Sequence, residues 1–547
     1  MYTMGANRVQ KSFFSGVLLL TLSTVSVKVI GLIYKIPMLA YLGSEGMGYF
    51  NSAYEIYALF CVISTAGLPV ALSVLISGAI ARGEYTAVVR IYRAAFLIFL
   101  IIGLIGSGSM ILFADSFCEL IQSKNAYYAI ISISPTVFLI CISSALRGFF
   151  QGHQQMQQTA VSQIIESLGK LIFGLLLASY ALKKGYETPQ IAAFAGWGLT
   201  FGTFLSVLYL VWKKARFHPY DLPKSSAPVS SYRSVWGTLA KLDIPKTLGA
   251  SLFSVTKLID MTMILRRLQA IGYSEQLANR AYGSYTTLAL SVFGLLPTLL
   301  NSVALPLVPI LSGAIAENNR PKQAQMIHLS YRLTAIFSIP AAFAISAFAR
   351  PALLLLFGHD REAVDIAAPL LSYLGVSVFL SCMITATNSV LHAYRIVNRP
   401  IFSMVAGAIV KIVFAYWLIG VPAIGLLGAP ISTFACNLTV VLLNLFFAAH
   451  LCNVADLLLD FLRPLVASVG AVGIGFSVYR FCVFKMGENP YITLLSLAIT
   501  GILYLLFACL TGAVRVEDVL SMPMGDRLCR LMTRLRLLSP SREEEDY

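Results

Sequence analysis

The chain has 547 residues, 58% of them hydrophobic and only 12% charged, where soluble domains carry about 25% charge. With a mean hydropathy of +0.78 there is too little polar surface to cover a water-soluble globule and far too much apolar content for a disordered chain. The net charge of +15 sits mainly between apolar runs, where it sets membrane topology and gives no sign of a nucleic-acid-binding face.

The apolar runs are about 20 residues long, the length of a membrane-spanning helix and not of the roughly 10-residue alternating strands of an outer-membrane barrel. The predicted class is therefore an all-α polytopic membrane protein. Fourteen segments follow in chain order, with cores at 13–42, 51–80, 94–114, 126–150, 159–182, 191–212, 242–265, 282–314, 333–349, 364–394, 400–420, 426–449, 464–483 and 490–512. The first is too long for a cleaved signal and carries Lys28 and Lys35. With the N-terminus in the cytoplasm, 24 lysines and arginines fall in inside segments and ten in outside ones, which places both termini in the cytoplasm of a multi-pass plasma-membrane protein.

The nine cysteines form no C-x-x-C pair, and the six histidines are scattered. There is no phosphate-binding G-x-x-x-x-G-K-[ST] loop. No metal, cofactor or enzyme chemistry is expected.

The longest loop, 213–240, holds Pro219, Pro223, Pro228 and a serine cluster and reads as a flexible cytoplasmic linker. It separates two similar halves. Ser77-Gly78-Ala79-Ile80-Ala81 recurs at 312–316, and Asn51-Ser52-Ala53-Tyr54 recurs as Asn279-Arg280-Ala281-Tyr282. At a constant offset of 241, Val137-Phe138-Leu139 and Cys141 map onto Val378-Phe379-Leu380 and Cys382, and Lys170 maps onto Lys411. The expected organisation is an N-lobe (1–212, six spans), the linker (213–240), a pseudo-symmetric C-lobe (241–449, six spans), two extra spans (450–512) and a cytoplasmic tail (513–547). An even span number per copy gives both the same orientation, and such parallel repeats place a transport path between lobes. Pro69 and Pro297 fall in corresponding spans and are candidate bending points.

Charge inside a span is costly, so each such residue needs a protein or water partner. Lys28 and Lys35, two turns apart, share a face of span one. They suit a diphosphate, or Lys28 pairs with Glu55 in span two. Glu166 and Lys170 are i, i+4, and either neutralise each other or meet substrate. Lys257 and Asp260 are i, i+3; they pair with each other, or Asp260 pairs with Lys411 or helps bind a coupling cation. Lys246 stands near a span end and can snorkel. Arg266 and Arg267, at the outer end of span seven, either contact a phosphate during release or snorkel.

Leu146-Arg147-Gly148-Phe149-Phe150-Gln151-Gly152 with 159–166, Arg266-Arg267-Leu268-Gln269-Ala270 through Glu275, and Tyr41-Leu42-Gly43-Ser44-Glu45-Gly46-Met47-Gly48 resemble the SpoVB/MurJ-like flippases of the MOP (multidrug/oligosaccharidyl-lipid/polysaccharide) superfamily over essentially the whole chain. The resemblance implies export of an undecaprenyl-diphosphate-linked sugar, lipid II for peptidoglycan above all, with spore cortex as a related role. It implies that Lys28 and Lys35 engage the diphosphate and that the last two spans carry the lipid tail. The family's arginine in span eight has no counterpart, since 285–300 holds no cation. Membrane lipids and cell-wall synthases are the expected partners. The alternatives are a polysaccharide-repeat flippase, a drug or cation antiporter (which would want an acidic cavity), and a cell-wall scaffold that would tolerate loss of both span-one lysines.

Overall fold

The computed structural model describes residues 2–217, 232–304, 307–396, 398–449 and 454–514. Half of the 213–240 linker (218–231), most of the 513–547 tail and the side chain of Lys246 lie outside the described residues, and 232–240 belongs to a helix. There is no strand among the described residues. A helix pairs every internal N–H and C=O within its own segment, which apolar runs of this length require in lipid. The chain divides into two compact units, residues 1–287 and 288–547.

The first unit holds α1 (Tyr2–Thr65), α2 (Leu68–Ala81), α3 (Tyr85–Leu112), α4 (Ala114–Ile121), α5 (Tyr127–Gly152), α6 (Met156–Lys183), α7 (Thr188–Ala215), α8 (Tyr232–Ala270) and α9 (Glu275–Ser284). α1 is two helices joined at Gly43, whose φ of 63° and ψ of 175° leave the helical region and suit a residue without a Cβ. A second break falls at Gly67, with Pro69 in the first turn of α2, where its missing N–H costs nothing. α6 and α7 approach backbone to backbone. A Cβ on Gly169 would lie 2.6 Å from the Cα of Gly202, and one on Gly198 only 2.2 Å from the Cα of Gly174. Small residues of this kind let membrane helices pack closely where no hydrophobic drive exists between them.

The second unit holds α10 (Leu290–Ala304), α11 (Leu307–Ala316), α12 (Arg320–Ala347), α13 (Ala349–Phe357), α14 (Arg361–Ala393), α15 (Asn398–Ile419), α16 (Gly428–Ala448), α17 (Val454–Met486) and α18 (Pro490–Leu510). Pro297 lies within α10, so the matched proline does not interrupt the helix as the Gly67–Pro69 step does. Val137 and Cys141 on α5 and their counterparts at the 241-residue offset, Val378 and Cys382 on α14, are all buried.

Eleven helical runs among the described residues are long and apolar enough to cross a membrane, from Ser23–Ala81 to Pro490–Leu510. The chain is thus a multi-pass membrane protein. Fourteen spans are consistent with this. The first run contains the Gly43 break and covers two expected spans, while the seventh and eighth fall on α8 and on the broken stretch α9–α11, outside the eleven.

Candidate functional site

The ionisable residues expected inside spans gather in the first unit. Lys35 is half-buried on α1, and Lys28, Lys170, Lys257 and Glu55 all lie within electrostatic reach of its ammonium. Lys28 also lies within reach of Lys257, and both present exposed side chains. Glu55 lies within reach of Lys35, Glu166 within reach of Lys170 and Asp260 one turn from Lys257, and with Glu166 already bonded to Arg147 positive charge is in excess among the described residues. Lys411 belongs to the second unit, half-buried on α15.

Lys35 Nζ donates to the carbonyl oxygen of Thr286 at 3.4 Å. That carbonyl belongs to a five-residue π-turn, Tyr285–Ala289, directly after α9. A π-turn widens the helix and frees backbone groups from the regular pattern, which is why such turns recur at functional sites.

Lys170 is seated against aromatic rings. Its Nζ lies 5.0 Å from the Tyr34 ring centre, 5.7 Å from Phe50 and 4.8 Å from Tyr54. The negative ring faces compensate part of the ammonium's lost hydration. Two of these rings, Phe50 and Tyr54, come from beyond the Gly43 break and one, Tyr34, from before it.

Glu166 accepts from Arg147 Nη2 at 2.7 Å. Arg147 also donates to Ser162 Oγ at 2.9 Å and Ser206 Oγ at 3.3 Å, so one buried guanidinium joins α5, α6 and α7. The principal partner of Glu166 is therefore on the neighbouring helix, which the i, i+4 spacing to Lys170 does not reveal. Arg147 is a residue that sequence reasoning valued only as part of a motif.

Arg266 is exposed at the end of α8. It donates to the carbonyls of Leu120 at 2.6 Å and Glu119 at 3.4 Å, the last turn of α4, where a cation complements the helix C-terminus. Gln269 donates to the Gln122 carbonyl at 2.7 Å, Glu275 accepts from the Asn125 amide at 3.0 Å, and Asn279 donates to Ser123 Oγ at 3.0 Å. The 119–125 connector is thereby stapled to α8 and α9. Arg267 is half-buried beside this staple.

The stretches around the two Asn-x-Ala-Tyr copies meet at their glycines. A Cβ on Gly48 would lie 2.2 Å from the Asn279 carbonyl oxygen, and one on Gly283 would lie 1.9 Å from that of Ser44. α1 and α9 close on each other with backbone alone between them. Sequence reasoning also missed Asp243 on α8. A Cβ on Gly67 would meet its Oδ1 at 2.2 Å, so only glycine leaves room for this carboxylate at the break before α2.

The all-helical fold of the described residues is that of transporters of the MOP superfamily. The solved lipid II flippase MurJ in an inward closed conformation superposes with a TM-score of 0.67 at 16% identity, covering 90% of this chain and 98% of that one. An inward-facing multidrug resistance MATE family transporter gives 0.60 at 14% identity, covering 78% and 98%.

The chain belongs to the polysaccharide biosynthesis protein family, whose profile matches residues 13–314, and the MatE profile matches residues 284–417. It is 26% identical over 430 residues to the lipid II flippase MurJ of Bacillus subtilis (strain 168), covering 76% of this chain and 78% of that protein. It is 23% identical over 539 residues to stage V sporulation protein B of the same organism, covering 95% and 99%.

Proposed function

We propose that this protein is a flippase that carries an undecaprenyl-diphosphate-linked sugar precursor outward across the plasma membrane, with lipid II as its cargo. The observation that carries the reading is the convergence of Lys28, Lys35, Lys170 and Lys257 on one region of the first unit. A diphosphate is the anionic group that such a cluster fits, and lysine supplies charge without the bidentate fork of arginine. The cluster speaks against a carrier of cationic drugs, which needs the opposite sign. Kinship with a lipid II flippase and a sporulation protein supports a cell-wall or spore-cortex precursor as the class of cargo.

In this reading both termini are cytoplasmic, and residues 1–212 and 241–449 are the two lobes that rock about the headgroup. The lipid tail stays in the bilayer. No covalent bond is made or broken. Lys28 and Lys35 hold the diphosphate, and cell-wall synthases receive the exported precursor.

Rescue of a bacterium depleted of its own lipid II flippase tests this, with membrane levels matched for the wild-type chain, Lys28→Ala and Lys35→Ala. Rescue by the wild type and not by the substitutions is expected. Rescue by all three removes the lysines from the mechanism. No rescue by the wild type rejects lipid II as cargo.

A further inference from the structure

Asn51 and Lys35 stand on opposite sides of the Gly43 break, each about two helical turns from it. Both reach the same turn. The two amide hydrogens of Asn51 Nδ2 go to Thr286 Oγ1 and Thr287 Oγ1, each at 2.8 Å. Thr286 Oγ1 donates in turn to the Tyr282 carbonyl at 2.8 Å, and the Thr286 carbonyl accepts from Lys35. Asn51 is 8% exposed and Thr287 is fully buried, so their hydrogen bonds have no water to replace them.

We infer that Asn51 is a positioning residue that fixes where the Lys35 ammonium stands, and through it links binding of an anionic headgroup to closure of α1 against α9. The inference rests on the diphosphate-carrying function proposed above. At 3.4 Å the bond from Lys35 to Thr286 is long. A phosphate oxygen is the stronger acceptor and draws the ammonium off the turn. The turn then loses the Lys35 bond and keeps those from Asn51, within a closure to which Gly48 on Asn279 and Gly283 on Ser44 contribute. Occupancy at Lys35 thus changes the strength of the α1–α9 contact, a differential interaction of the kind that any ligand-driven change of state requires.

The full chain, purified in detergent, is titrated calorimetrically with farnesyl diphosphate as the wild type, Lys35→Ala, Asn51→Ala and the double variant. Each single variant is expected to bind about tenfold more weakly, and the double no more weakly than Lys35→Ala, because Asn51 acts through the ammonium. A double variant weakened by the product of the two single effects overturns the inference, since a merely structural asparagine acts independently. Wild-type affinity in Asn51→Ala overturns it as well. Wild-type affinity in Lys35→Ala, or no binding by the wild type, instead rejects the headgroup reading, and the inference falls with it. Thr287→Val, which removes one acceptor at nearly constant volume, replaces Asn51→Ala in the cycle if that variant does not fold.

Discussion

The Arg147 guanidinium and the Glu166 carboxylate, on α5 and α6, meet at 2.7 Å with their side chains only 10% and 20% exposed. This is a desolvated pair braced by Ser162 and Ser206. Removing either partner strands the other charge away from water. Arg147→Ala and Glu166→Ala are each expected to destabilise the protein by about 3–5 kcal/mol, whereas an apolar pair of similar volume at both positions recovers most of the loss. Thermal unfolding of the four proteins in one detergent checks this. Equal stability of Arg147→Ala and the wild type would sink it.

The aromatic seat of Lys170 predicts a graded response. Tyr54→Leu removes the nearest ring face and is expected to cost about 0.5–2 kcal/mol, while Tyr54→Phe keeps the face and costs less. Lys170→Met, which removes the charge, should make the protein insensitive to Tyr54→Leu. The check is the midpoint of thermal unfolding, and a Tyr54→Leu effect undiminished by Lys170→Met counts against a cation–π origin.

Alanine at Gly283 puts a methyl group where the Ser44 backbone already is. Backbone cannot rotate aside, so α1 and α9 must part. Overpacking of this kind costs about 1–3 kcal/mol, and Gly283→Ala is expected to melt earlier by that amount. Gly294→Ala is the control, because nothing lies within 4 Å of the position its Cβ would take. Equal melting of the two variants would contradict the contact.

His153 caps the end of α5, outside the spans, with its ring against Phe149 and Phe217 and Nδ1 2.8 Å from the Phe149 carbonyl. Burial lowers its pKa below the ordinary 6.5, because the charged ring is poorly solvated there. As pH falls through 6.5 the unfolded chain takes up the proton first, so the stability contributed by the neutral ring is full above 6.5 and declines below it. His153→Gln is expected to flatten this part of the stability–pH curve. An unchanged slope between pH 7 and 5 would assign the dependence to other groups.

The span-one lysines are legible in sequence because charge in an apolar run stands out without coordinates. Lys35 and Lys170 were singled out on that basis and do lie together. Their surroundings were not legible. The rings around Lys170 come from both sides of a break at Gly43, and nothing in the residues 41–48 shows which way the chain turns there. For Glu166 the sequence offers Lys170 at i, i+4, or substrate, because only spacings within one helix are explicit in it, whereas Arg147 reaches Glu166 across a helix crossing. For Arg266 the sequence leaves a phosphate contact and snorkelling both open, and the α4 carbonyls that it meets are backbone, which carries no sequence signal.

The glycine contacts between α6 and α7 bear on how the protein is made. These helices are joined by residues 184–187 alone, and at Gly169–Gly202 and Gly174–Gly198 there is no side chain to order between them. Their association needs neither cargo nor any later helix, and it freezes few rotamers. The hairpin can therefore zip together as it emerges from the ribosome, giving the remaining helices of its bundle a finished surface to assemble upon.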